Sequence, residues 1–133
     1  MKKLRKSDTP CIEYVQLGLW PFFVGFTTRE EKFKAELKRK NIEQGAPFLG
    51  VNSAARTHRF TQNGEVNMAI ICVKPHSKKD RLYRVPSIIA HEATHALQDI
   101  REYVGLGSKE YEAEAYTVEL IVRQCLEWYD QGL

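Results

Sequence analysis

The chain has 133 residues, 43% of them hydrophobic and 28% charged, and a net charge of +3. That length supports one domain, residues 1–133, with a core of its own, and the composition excludes a disordered chain and a membrane protein. Much of the mild charge excess sits in Lys2, Lys3, Arg5 and Lys6, and no aromatic residue interleaves them, which argues for a flexible, solvated basic end and against a nucleic-acid surface.

No apolar stretch follows the basic start, so no signal peptide is expected. Residues 17–26 are too short to span a membrane and are broken by Gly18, Pro21 and Gly25. Cys11, Cys72 and Cys125 are scattered, with no C-x-x-C pair, which fits free thiols in a reducing compartment. The expectation is a cytoplasmic protein without membrane contact.

Residues 12–26 are apolar and aromatic with Gly and Pro interruptions, which predicts an irregular extended segment, part of it in a sheet. Residues 28–40 predict a helix. Thr28 suits its cap, Glu30 and Glu31 its positive end, and Lys38, Arg39 and Lys40 its negative end. Phe33 and Leu37 form a narrow apolar stripe, so this helix should pack on the surface of the domain. Gly45 and Pro47 mark a loop.

Residues 56–62 and 65–73 flank Asn63-Gly64, the strongest β-hairpin signal in the chain. Residues 69–73 are apolar on both faces, predicting a strand covered on both sides, with Cys72 in the core. Residues 74–84 read as a polar connection. A helix should begin near Pro86 or Ser87, with Ile89, Ala93, Ala96, Leu97 and Ile100 on its buried stripe. Gly105 and Gly107 end it. A last helix covers about 108–129, with Tyr111, Ala115, Val118, Val122, Cys125 and Tyr129 as its seam. The short link makes the two helices an antiparallel hairpin. The class is α+β: a small antiparallel sheet with its hairpin packed on a helix, and an antiparallel C-terminal helix.

Residues 91–95 read His-Glu-Ala-Thr-His, an H-E-x-x-H motif. Four residues apart on a helix, His91 and His95 project from one face on successive turns and suit one Zn2+ ion. Glu92 lies beside them, placed to take a proton from a water at the metal. Catalytic zinc takes three protein ligands plus water. The third should come from the return helix, where Glu110, Glu112 and Glu114 are candidates. Hairpin register slightly favours Glu114, but helix ends vary by as much as the difference. One or two of these acids should simply favour the helix dipole.

The pair of motifs, residues 91–95 and Glu-Ala-Glu-Ala-Tyr at 112–116, resembles a small zincin-like metallopeptidase family encoded by tailed phages and prophages. There H-E-x-x-H is followed by E-x-x-A-Y on the next helix. The resemblance is strong over residues 88–122 and loose upstream, through 22–26, the helix around 31–39 and Asn63-Gly64. It implies a minimal zincin-like domain, a zinc-dependent hydrolase acting on a peptide or amide bond, and Glu112 as third metal ligand in gluzincin fashion, with Ala115 and Tyr116 in the A-Y slots.

Tyr116 has two readings, packing on the helix or directing its hydroxyl at the site. Asp99, one turn after His95, is a candidate hydrogen-bond partner of a ligand histidine. His58 and His76 are expected at the surface. The partner is a peptide or protein substrate or target. A rival reading keeps the fold as a binder of a host or phage protein without cleavage, since few residues remain to build a substrate cleft. An open metal position beside a free strand edge favours hydrolysis, and a capped edge favours the binder. A closed structural zinc site ranks third.

Overall fold

A computed structural model describes residues 9–17, 22–43, 47–62, 65–104 and 111–133. The elements run β1 (Glu13–Gln16), β2 (Phe23–Thr27), α1 (Glu30–Arg39), β3 (Ala55–Gln62), β4 (Glu65–Val73), a 3₁₀ turn (Lys78–Asp80), α2 (Arg84–Val104) and α3 (Tyr111–Asp130). The class is α+β, as the sequence predicts. The basic N-terminal cluster, Gly45, Asn63-Gly64, and the Gly105, Gly107 and Ser108 link lie outside the described residues.

The four strands form one sheet in the order β1-β2-β4-β3. The predicted hairpin is present, with β3 and β4 antiparallel and Ala55 opposite Val73. The sheet as a whole is mixed rather than antiparallel, because β2 and β4 pair in parallel, Phe23 opposite Met68 through Thr27 opposite Cys72. That pairing joins residues 45 apart in sequence, across α1 and β3, which local turn chemistry does not encode. Gly25 sits opposite Tyr14, and a Cβ there would come within 2.8 Å of the Tyr14 ring and 2.9 Å of Ile12. Only glycine lets the Tyr14 and Ile12 side chains lie across the strand.

β4 is apolar from Met68 to Val73 because both of its faces are covered there. Ala69, Ile71 and Val73 join Val24 and Phe26 beneath α2 and α3, while Met68, Ile70 and Cys72 pack with Phe33, Leu37 and Phe48 on the α1 side. α2 buries Val85, Ile89, Ala93, Ala96 and Ile100, the stripe its 3.6-residue period predicts.

α3 lies antiparallel to α2 and is tied to it at both ends. Glu114 near its start meets Arg101 near the end of α2, with N···O 2.9 Å. Tyr129 near its end accepts a hydrogen bond from the His76 N–H at 2.7 Å, just before α2 begins, and lies under the Arg81 guanidinium. The buried seam of α3 is Thr117, Ile121, Cys125, Trp128 and Tyr129, rotated from the predicted one. Tyr111 and Ala115 are exposed, and Val118 and Val122 are half-buried. The helix leans on both the sheet and α2, so the stripe from Ala115 to Leu126 lines an open groove beside Leu97 rather than the core.

α1 starts one residue later than its expected cap. Its N-cap residue is Arg29, with no side-chain cap bond, and Thr27 rather than Thr28 accepts the Arg29 N–H, at 3.1 Å. Its buried residues include Glu36 as well as Phe33 and Leu37. Glu36 receives hydrogen bonds from the Tyr14 hydroxyl, the Cys11 N–H and both nitrogens of the Arg39 fork, and so pins β1 to α1. Burial pushes its carboxyl up, but these donors outweigh it and hold the pKa below the usual carboxylate value. Among the described residues, no helix is long and apolar enough to cross a membrane.

Candidate metal centre

His91 and His95 stand on the side of α2 away from its buried stripe, and both are exposed. Their Nε2 atoms are 3.1 Å apart, with ring centroids at 4.8 Å and planes nearly perpendicular at 78°. Two nitrogens bound to one tetrahedral zinc at about 2.0–2.1 Å lie roughly 3.3–3.4 Å apart, so the pair meets that span with a few tenths of an ångström of adjustment. Gln98, one turn on, places Oε1 3.2 Å from His95 Nδ1. If that oxygen accepts from Nδ1, Nε2 is left with its lone pair towards His91. This is the tautomer a metal ligand needs.

Glu92 points to the other flank of the same turns and is 5% exposed. Its carboxylate and the two imidazoles offer donor atoms all within 4.8 Å of one another. Thr57, on β3, holds it: the Thr57 Oγ1 lies 3.2 Å from both the Glu92 carbonyl oxygen and its Oε2. A strand hydroxyl thus fixes a buried carboxylate beside two exposed ring nitrogens.

β3 is an edge strand. Lys74 donates its N–H to the Ala54 carbonyl at 2.8 Å, and Ala55 faces Val73. In an antiparallel ladder, residues 54, 56 and 58 therefore bond to β4, while Ala55, Thr57 and Arg59 turn their N–H and C=O groups to the open edge. The Ala55 carbonyl is met there by the Ser53 hydroxyl at 2.5 Å. A cleft of about 360 Å³ runs between residues 53–55 and Ser87, Ile88, His91 and Glu92 of α2. His91 thus opens onto a groove beside a strand edge that no other strand pairs among the described residues.

The other residues named from the sequence are placed differently. Glu112 is exposed in the first turn of α3 and Glu114 is engaged by Arg101. Neither belongs to the donor group of His91, Glu92 and His95. At about 100° per residue, the histidines point roughly 120° away from the flank of α2 (Leu97, Arg101) that meets α3. Glu110 lies outside the described residues. Tyr116 is 67% exposed.

Asp99 is buried and pairs with Arg59 of β3 at 3.6 Å rather than with a ligand imidazole. Burial raises its pKa, with Arg59 opposing. His58 is buried, not at the surface. Its Nε2 meets the Phe48 carbonyl at 3.0 Å, its ring lies 4.6 Å from that of Phe33, and burial lowers its pKa. His76 is half-buried.

Sequence reasoning missed Thr57 and Gln98. Thr57 left no local signal. Gln98 did, since it follows His95 at the i, i+3 spacing that brings helical side chains together. Comparison with protein-family models, with curated proteins and with solved structures finds no match to this chain.

Proposed function

We propose that the protein is a zinc-dependent, metallopeptidase-like hydrolase of the zincin type, active in the cytoplasm of a bacterial host. The observation that carries this reading is the His91–His95 pair, converging to 3.1 Å beside a buried carboxylate and an open strand edge. His91 and His95 would hold the ion. The resemblance implies Glu112 as the third ligand, which would require it to reach the histidines from outside the donor group seen here, and Glu114 is engaged by Arg101.

A zinc ion there supplies Lewis acidity, lowering the pKa of a water and polarising a carbonyl. The chain supplies the rest. Glu92 takes a proton from the attacking water and returns it to the departing amine nitrogen. Thr57 keeps the carboxylate turned to that task. The β3 edge holds an extended peptide through the free groups of Thr57 and Arg59.

The decisive experiment pairs metal analysis with hydrolysis. Wild-type protein should bind one zinc and cleave peptides, and Glu92→Gln should keep the metal and lose cleavage. Zinc bound without any cleavage by the wild type would favour a second reading, a zincin-fold binder of a host or phage protein. The observation favouring that alternative is the donor group itself, which contains two histidines and the base but no carboxylate of α3.

A further inference from the structure

The cleft beside the histidines has a chemical asymmetry. Among its lining residues Glu92 is the one acid, and it sits at the histidine end. The other end is formed by Ser53 and Ser87, and Arg84 precedes it on α2. Arg84 lies one turn before Ser87 and Ile88, and its carbonyl accepts the Ser87 hydroxyl at 2.8 Å.

Arg84 also falls on the stripe of α2 that carries Ile88, His91 and His95, at spacings of four, three and four residues. It is exposed, and the first turn of α2 contains no acid to neutralise it. It forms no ion pair among the described residues. Seven residues at about 1.5 Å each place it roughly 10 Å along the helix from His91. An extended peptide covers that distance in about three residues.

We propose that Arg84 is a specificity determinant that anchors a carboxylate of the bound peptide about three residues from the bond held at His91 and Glu92. The inference rests on the peptide-binding reading of this cleft. Its ligand is a peptide carboxylate, either an Asp or Glu side chain or a free C-terminus.

The test uses a random peptide pool in two forms, with free and with amidated C-termini. Immobilised, zinc-loaded Glu92→Gln protein captures peptides from each, and mass spectrometry reads their composition. In parallel, zinc-loaded wild-type protein is incubated with the pools and its cleavage sites are mapped.

The captured fraction should be enriched about fivefold in carboxylates over the input, the span of a good exposed ion pair. Adding Arg84→Gln should abolish the enrichment, and adding Arg84→Glu should invert it towards Lys and Arg. Enrichment in the amidated pool assigns side-chain carboxylates, and enrichment in the free pool alone assigns C-termini. Captured peptides no richer in acid with Arg84 than with Gln overturn the proposal. Enrichment without cleavage keeps the anchor and removes the hydrolase reading. Cleavage without acid preference does the reverse, and a pool neither bound nor cleaved overturns both.

Discussion

Thr57 on the edge strand holds Glu92 on α2 by a hydroxyl that lies 3.2 Å from both the carbonyl oxygen and the carboxylate of the same residue. The contact joins the edge of the sheet to the carboxylate we propose as the acid–base group. A carboxylate accepting such a bond is oriented rather than free to rotate. Thr57→Val keeps shape and strand propensity but removes the donor. Zinc content should not change, and peptide hydrolysis should fall about tenfold, in the range for groups that orient a metal site. Unchanged hydrolysis would show that Thr57 only packs.

The Gln98 Oε1 lies 3.2 Å from His95 Nδ1, and by accepting there it would leave Nε2 to bind metal. Gln98→Leu keeps an exposed helix position but removes the acceptor. Zinc affinity should weaken about 10- to 100-fold with little change in thermal stability, as read by competition with a chromogenic chelator. Gln98→Glu should restore affinity, since a carboxylate accepts the same hydrogen. Equal affinities in all three proteins would refute the role.

What could be read from the sequence, and what could not, divides by distance along the chain. His91, Glu92 and His95 were legible because the helical period alone puts them together. The hairpin and the doubly covered β4 were legible because turn chemistry and alternation are local. The parallel pairing of β2 with β4, the capture of Asp99 by Arg59 and the grip of Thr57 on Glu92 each join distant segments. His58 looked like a surface histidine because Phe33 and Phe48, which bury it, come from elsewhere. Glu36 looked like one more charge on a polar helix, since nothing local announces Tyr14 and Cys11. The rotation of the α3 seam has the same origin: periodicity finds an apolar stripe but not which neighbour covers it.

The third ligand can be decided by two single substitutions. Glu114 is tied to Arg101 and only partly exposed, so Glu114→Ala should cost up to about 1 kcal/mol of stability and leave zinc in place. Glu112→Ala should lower zinc affinity without lowering the stability of the metal-free protein. Full zinc in Glu112→Ala, with loss in Glu114→Ala, would transfer the role to Glu114 and require that its bond to Arg101 be given up.

Acid should destabilise the metal-free protein in two steps of the same sign. Burial lowers the His58 pKa. As pH falls below about 6.5 the unfolded chain takes up a proton that the native state refuses, and stability drops. Glu36 is depressed as well, so its contribution is complete above the unfolded carboxylate value and is lost as pH falls through the lower native one. Asp99, raised by burial, binds its proton earlier in the native state and opposes part of the second step. Urea midpoints taken with chelator from pH 8 down to about 2.5 should therefore fall first below pH 6.5. His58→Phe should flatten that first step while lowering stability at pH 8, because the Phe48 carbonyl loses its donor. Glu36→Ala should cost about 3 kcal/mol at pH 7, the low end for breaking a buried pair, because Arg39 can reach water. It should also remove the second step. A first step that survives in His58→Phe would assign the acid sensitivity to another group.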